Sequence, residues 1–104
     1  MVAYTSDVGL NSWGIYDLHQ VSLPIYFTKD PHSTQMFEGL GDKAWELQAN
    51  NFTYNSHRYG ISQETFKSDK GLKSFWEVTS NSLMPNGTSF VASIEAKEYP
   101  IFGT

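Results

Sequence analysis

The fold of this chain is decided by residues 72–104, which read LKSFWEVTSNSLMPNGTSFVASIEAKEYPIFGT. Aromatic and β-branched side chains over 72–80 predict a strand. The Pro-Asn-Gly-Thr run at 85–88 is a strong turn signal between two strands. Apolar and polar side chains alternate over 89–96, which is the period of a strand, and residues 99–104 predict one more. The stretch therefore predicts a strand-rich unit.

The alternation over 89–96 also predicts which side chains are buried. We expect the apolar ones to face the core, namely Phe90, Ala92, Ile94 and Ala96. We expect the intervening ones to face outward, namely Val91, Ser93, Glu95 and Lys97. Because Glu95 and Glu98 flank Lys97, this stretch is typical of a solvated strand end rather than of a catalytic carboxylate pair.

The residues before this stretch predict a mixture of strands, turns and short helices. Residues 16–27 are rich in apolar and aromatic side chains, and those over 21–27 alternate as in a strand. Pro24 indicates an edge or an irregular position there. Asp42 is expected to cap a helix over 43–48. Residues 50–54 predict a short strand, followed by the polar segment 55–60. The local pattern is α+β and dominated by strands.

Composition limits the classes of function. The chain has 104 residues, which is one domain or part of one, and 15% of them are aromatic, which argues against disorder. The net charge is −4 and the seven Lys and Arg are scattered, so nucleic-acid binding is not expected. Without cysteine, the chain itself holds no disulfide, thiolate metal site or cysteine nucleophile. No metal site, cofactor or membrane span is predicted.

Residues 54–59, Tyr-Asn-Ser-His-Arg-Tyr, are the densest group of side chains that can carry chemistry. The imidazole of His57 can donate, accept or shuttle a proton near neutral pH. Arg58 can bind a carboxylate through two hydrogen bonds, and the rings of the two tyrosines can pack against a flat ligand. The competing interpretation is a surface loop whose histidine packs on an aromatic neighbour. His19 and His32 are expected to be solvated.

Two stretches resemble the folate gamma-glutamyl hydrolase family. Residues 51–62, NFTYNSHRYGIS, are similar to the family segment in which a short strand leads into an Asn-x-His-basic-aromatic motif. Residues 93–103, SIEAKEYPIFG, resemble the family stretch Glu-small-Lys-x-Tyr-Pro-apolar-(aromatic or apolar)-Gly. Shorter similar blocks lie in the same order at 23–28, 36–37 and 72–81.

The resemblance implies an α/β fold, with this chain as a strand-rich part of the flavodoxin-like, three-layer sandwich of class I glutamine amidotransferases. It implies a cysteine–histidine pair whose thiolate attacks the gamma-glutamyl amide of folate poly-gamma-glutamates. In the family, the cysteine lies just before the region matching Met1, and the catalytic histidine follows the position of Thr104. Residues 1–104 are thus expected to be a partial domain between these two groups, inactive alone.

The resemblance also assigns roles to particular residues. His57 matches an auxiliary active-site histidine, and Asn55, Arg58 and Tyr59 match its neighbours in the substrate cleft. The implied partners are the remaining segments of the parent hydrolase or other chains, with folate polyglutamate as substrate. The implied location is lysosomal, vacuolar or secreted, which the N-glycosylation patterns at Asn51 and Asn86 modestly favour.

Two other classes of function stay open. A non-catalytic structural or interaction subunit derived from the same fold would contact other chains extensively and hydrolyse nothing. A small β-rich binding module would fold alone as a monomer with a closed sheet. The apolar strands at 21–27 and 99–104 would leave open edges in isolation, so we predict that the isolated chain aggregates or needs partner segments.

Overall fold

The computed structural model describes residues 2–104, which form a mixed α/β unit with two antiparallel sheets. The strands are β1 (Gly14–Leu23), β2 (Tyr26–Phe27), β3 (Thr53–Gly60), β4 (Trp76–Leu83), β5 (Ser89–Ala96) and β6 (Phe102–Gly103). The α-helices are α1 (Val2–Thr5), α2 (Glu46–Ala49), α3 (Gln63–Ser68) and α4 (Lys70–Phe75). Stretches of 3₁₀ helix occupy Gly9–Ser12, Pro31–Ser33 and Glu38–Trp45. The prediction of an α/β class is confirmed.

The larger sheet has the strand order β2-β4-β5-β6, and the predicted hairpin of β4 and β5 forms its centre. The predicted turn is confirmed, because the Gly87 N–H donates to the Met84 carbonyl at 2.8 Å. Gly87 has a φ of 89°, a backbone conformation that favours glycine. The strand predicted over 99–104 is shorter than expected, since the chain bends through Tyr99 and Pro100 before β6.

The strand predicted over 72–80 begins only at Trp76, because the residues before it are helical. The Asp69 carboxylate accepts a hydrogen bond from the backbone N–H of Leu72 at 3.1 Å and so caps the start of α4. Leu72 is then fully buried in a cluster with Phe66 and Ile94. A capping residue outside the predicted strand therefore outweighed the strand preference of the aromatic side chains within it.

The predicted outward orientation of Ser93 and Glu95 is wrong. These residues are only 2% and 5% exposed. Where β4 and β5 pair irregularly, the Ser93 hydroxyl lies 2.7 Å from that of Thr79. The Glu95 carboxylate accepts hydrogen bonds from the backbone N–H groups of Gln35 at 3.0 Å and Met36 at 3.3 Å. A distant part of the chain thus covers this position and supplies the donors that a buried carboxylate needs.

Strands β1 and β3 form a separate two-stranded ribbon. Strand β3 begins at Thr53 and continues through the polar segment 55–60, so the predicted loop is a strand. The other part of the competing interpretation agrees with the structure, because His57 packs on an aromatic neighbour, Phe90. An antiparallel ribbon accepts such polar side chains because one of its faces meets solvent. The strand predicted over 21–27 is divided between the end of β1 and β2, and its interruption at Pro24 is the predicted irregular position.

The helix predicted over 43–48 is split between the end of the 3₁₀ stretch Glu38–Trp45 and α2. Asp42 does not cap either piece. Its carboxylate instead lies 2.9 Å from Nε2 of His32. Gly41 has a φ of 57° and places a kink directly before Asp42, which is why no regular helix starts there.

Three hydrophobic clusters hold these elements together within the described residues. The first packs α3 and α4 against β4 and β5, and the third packs the 3₁₀ region against Ile25. The second is small and consists of Tyr16, Leu18 and Phe90. Because Tyr16 and Leu18 lie on β1 and Phe90 lies on β5, this second cluster fastens the ribbon to the larger sheet.

The segment around α1 is anchored to α4 and β4 by polar contacts. The Asp69 carboxylate accepts hydrogen bonds from the Ser6 hydroxyl and from the Asp7 backbone N–H, the latter at 3.0 Å. These bonds lower the pKa of Asp69, with the Asp7 N–H as the largest cause. The indole of Trp76 donates to the Thr5 hydroxyl at 2.8 Å. Asp69 therefore caps α4 and also binds the segment that follows α1.

Candidate functional site

The alternation of β3 sorts the predicted site residues between two faces of the ribbon. Asn55 is 9% exposed and His57 is half-buried, and they share the inner face. The intervening Tyr54, Ser56 and Arg58 are exposed. The structure thus brings Asn55 and His57 together and turns Arg58 away from them.

His57 is held by contacts on three sides. Its Nε2 lies 3.2 Å from Oδ1 of Asn55. Its ring meets the ring of Phe90 edge-on, with the centroids 5.4 Å apart. Leu18 on β1 is its partner across the ribbon. Nδ1 of His57 is buried and has no hydrogen-bond partner among residues 2–104.

The inner face of β3 opens onto a cleft of about 790 Å³ that separates it from β5. This volume lies within the range of small-molecule sites, roughly 300–1,000 Å³. Asn55, His57 and Phe90 line it, and its walls are mainly apolar. A mostly apolar cleft with an imidazole that has an unpartnered nitrogen is an arrangement suited to a ligand with a flat or apolar part and a polar group.

Tyr59 and Trp13 form an aromatic wall in the lining of this cleft. Their ring centroids are 6.0 Å apart with an angle of 35° between the ring planes. They are 54% and 45% exposed, so their faces remain accessible. No local sequence signal points to Trp13, because it precedes β1 in a Gly-, Asn- and Ser-rich segment. Only the pairing of Gly14 with Gly60 brings it beside Tyr59.

Arg58 borders the cleft, but its side chain is engaged elsewhere. Its Nε lies 3.8 Å from Oδ1 of Asp17, and both side chains are about two-thirds exposed, at 67% and 69%. Its guanidinium carbon lies 5.9 Å from the centre of the Tyr59 ring. Such an exposed pair is weak, so the guanidinium can exchange Asp17 for another carboxylate at little cost.

The two other histidines lie away from the cleft. His19 is exposed on β1. His32 has 43% of its side chain exposed, and its ring lies between two carboxylates, 2.7 Å from Asp30 and 2.9 Å from Asp42. The hydrogen bond to Asp30 is the largest cause of a raised pKa for His32. His32 is therefore a surface contact of the 3₁₀ region, not part of the cleft.

The remaining sequence-predicted positions lie at the surface. Asn51 and Asn86 are both exposed, the latter in the β4–β5 turn. Among residues 2–104, no group of three or more His, Cys, Asp or Glu side chains is arranged to hold a metal ion. No helix in the same part of the chain is long and apolar enough to cross a membrane.

These features define a mixed α/β protein whose candidate site is a histidine-bearing strand facing an apolar cleft. Comparison with known sequences shows which proteins this chain is similar to. The chain is 31% identical to gamma-glutamyl hydrolase of Rattus norvegicus over 83 residues, which is 79% of this chain and 26% of the rat protein. It is 27% identical to gamma-glutamyl hydrolase B of Dictyostelium discoideum over 88 residues, which is 84% of this chain and 25% of that protein.

A plant protein gives the same result over a shorter range. Gamma-glutamyl hydrolase 1 of Arabidopsis thaliana is 31% identical over 58 residues, which is 56% of this chain and 17% of that protein. No protein-family model matches the chain. The chain spans about a quarter of the length of the rat and Dictyostelium relatives. The predicted resemblance is confirmed: the chain is related to the gamma-glutamyl hydrolases.

Proposed function

We propose that this chain forms the substrate-binding side of a gamma-glutamyl hydrolase-like protein that cleaves gamma-glutamyl bonds of folate poly-gamma-glutamates. The observation that carries the proposal is the position of His57, which lines the cleft and whose Nδ1 is buried without a hydrogen-bond partner among residues 2–104. The relationship to proteins named gamma-glutamyl hydrolase supports the reaction class. The chain has no cysteine, so the nucleophile and its histidine partner come from residues outside these 104.

The proposed reaction proceeds by acyl transfer. A thiolate attacks the carbonyl carbon of the gamma-glutamyl amide, and the tetrahedral intermediate expels the amine, which takes a proton from a histidine. Water then hydrolyses the thioester and regenerates the thiol. Within this scheme His57 is an auxiliary residue that contacts the substrate beside the reacting amide. It is not the base of the nucleophile.

The other cleft residues suit a substrate with a flat ring and several carboxylates. The wall of Trp13 and Tyr59 offers two accessible faces for a ring to stack on. Arg58 is a carboxylate ligand whose present pairing with Asp17 is weak. Asn55 is the remaining polar residue of the inner face. We assign the ring to the aromatic wall and a glutamate carboxylate to Arg58.

We propose that the parent fold is the three-layer sandwich of class I glutamine amidotransferases and that residues 1–104 are a partial domain within it. The partners of this chain are then the segments that carry the catalytic cysteine and histidine. We also propose a lysosomal, vacuolar or secreted location with glycans on Asn51 and Asn86. Their exposure supports this, because a glycan needs an accessible acceptor.

Ligand binding tests this proposal without requiring catalysis. Like the later binding, NMR and denaturation experiments, it uses the 104-residue chain assembled with the partner segments that it is expected to need, in which the catalytic cysteine is replaced by alanine. Calorimetric titration with pteroyl-tetraglutamate should show binding that His57→Leu weakens about tenfold, the effect of losing one good hydrogen bond to a buried group. The matched control is His19→Leu, because His19 lies on the same ribbon but is exposed. Equal affinities of the His57 variant and the unchanged chain would refute the site.

A non-catalytic subunit is the second candidate, and the absence of cysteine from the chain favours it. Mass spectrometry of complexes purified from the source through this chain distinguishes the two. The hydrolase proposal expects peptides with a cysteine nucleophile and the catalytic histidine motif, together with hydrolysis of gamma-glutamyl peptides. Complexes with other chains but without such peptides or activity would establish the non-catalytic role.

A further inference from the structure

The side-chain amide of Asn55 has a defined orientation because both of its ends are engaged. Its Nδ2 donates a hydrogen bond to the Thr53 carbonyl at 2.9 Å. Its Oδ1 lies 3.2 Å from Nε2 of His57. The reverse orientation would place the amide oxygen against the Thr53 carbonyl oxygen, and two acceptors cannot share a hydrogen bond. Oδ1 is therefore the atom that Asn55 presents to the imidazole.

This orientation determines which nitrogen of His57 carries hydrogen. An amide oxygen only accepts hydrogen bonds, so Nε2 must be the donor. A neutral imidazole carries one N–H, so its Nδ1 is left with a lone pair. That nitrogen is buried and has no partner among the described residues. A buried acceptor without a donor is unfavourable, and it is satisfied when a bound group supplies the donor.

We infer that Asn55 is a positioning residue that sets the tautomer of His57, and that Nδ1 of His57 binds a ligand group that donates a hydrogen bond. Asn55 then acts on the ligand through His57 and is not itself a substrate contact. The identity of the donor rests on the proposed function: in a gamma-glutamyl compound it is the N–H of the amide. The tautomer assignment stands independently of that function.

Nitrogen NMR of the ¹⁵N-histidine-labelled chain tests the tautomer directly. At alkaline pH, where an ordinary imidazole is neutral, His57 should show a protonated Nε2 and an unprotonated Nδ1. His19→Gln and His32→Gln variants assign the three histidines. A protonated Nδ1 in the neutral ring of His57 would overturn the inference.

Two substitutions on β3 test the role of Asn55. Asn55→Leu removes the acceptor at similar volume, so the tautomers of His57 should mix and its two nitrogen resonances should move towards each other. Ser56→Ala, the next residue of β3 on its exposed face, is the matched control and should retain the single tautomer. Unchanged nitrogen resonances in the Leu variant, with a native-like backbone amide spectrum, would show that Asn55 does not set the tautomer. If the Leu variant does not fold, Asn55→Ala makes the same comparison.

A pair of ligands tests the predicted donor. Gamma-glutamyl-glutamate and its ester analogue differ by one N–H, and the ester should bind about tenfold more weakly because Nδ1 then stays unpaired. Equal binding of the two compounds would overturn the assignment of Nδ1 as the ligand contact. Absence of binding by both would count against the proposed function, while the NMR result would still decide the tautomer.

Discussion

The β4–β5 hairpin and the β1–β3 ribbon are both antiparallel pairs, but they are stabilised in different ways. The hairpin lies at the centre of a four-stranded sheet, and helices α3 and α4 pack on it through a fully buried Leu72. The ribbon is attached through the small cluster of Tyr16, Leu18 and Phe90. The hairpin therefore holds the main hydrophobic core together. The polar side chains of the ribbon are not needed for core packing and can bind a ligand.

Replacing one buried leucine by alanine in each region should change the free energy of unfolding more than the other substitutions do. The two losses together test whether the hairpin stabilises the fold more than the ribbon does. Leu72→Ala should lower the free energy of unfolding by about 4 kcal/mol and Leu18→Ala by about 2 kcal/mol, both within the range of about 2–5 kcal/mol for buried leucines. Urea denaturation followed by circular dichroism measures both. Leu10→Ala is the control, because Leu10 is 66% exposed and should change little. Equal losses at positions 18 and 72 would contradict the comparison.

Lowering the pH should reduce the free energy of unfolding by a smaller amount. This effect comes from Asp69, which caps α4, the helix that packs on the hairpin. The pKa of Asp69 is lowered from 3.8, first by the Asp7 N–H and then by the Ser6 hydroxyl. The ionised carboxylate therefore adds stability above the unfolded-state pKa, and this stability is lost as the pH falls through the folded-state value.

Asp69→Asn should remove this pH dependence, which denaturation midpoints measured between neutral pH and pH 3 will detect. Asp17→Asn, an exposed carboxylate on the ribbon, is the matched control and should leave the pH dependence unchanged. A pH profile that is the same in the Asp69 variant as in the unchanged chain would refute the role of this carboxylate.

The smallest effect is expected for the exposed ion pair of the ribbon. Arg58→Ala should change the free energy of unfolding by less than about 0.5 kcal/mol, because exposed pairs contribute little. The same substitution should weaken binding of polyglutamate ligands, if Arg58 contacts a carboxylate as proposed. A stability loss comparable with that of Leu18→Ala would show that the ribbon depends on this pair.

Much of the hairpin was predictable, because local signals determine it. The Pro-Asn-Gly-Thr turn and the alternation of β5 needed no knowledge of distant residues. The error at Glu95 arose because its environment comes from residues about 60 positions away, whose backbone N–H groups bind it. The error at Ser93 arose because β4 and β5 pair irregularly and bring its hydroxyl against that of Thr79. Alternation alone cannot show that a second segment covers the outer face.

The candidate site was predictable in its residues but not in its geometry. Composition and the Asn-x-His-basic-aromatic motif indicated the segment around His57. That segment lacks the apolar alternation of a strand, so its extended conformation, which separates Asn55 and His57 from Arg58, was missed. Trp13 was missed for another reason: only the register of β1 with β3 brings it beside Tyr59.

The double role of Asp69 has a consequence for the order of folding. Its contacts with Asp7 and Ser6 close loops of 62 and 63 residues, whereas its cap on α4 joins neighbours three positions apart. Closing a long loop costs more conformational entropy than forming a local turn, so contacts of this kind form late. We therefore expect α4 to be in place before the first residues of the chain dock on it, and those residues to be among the first to detach.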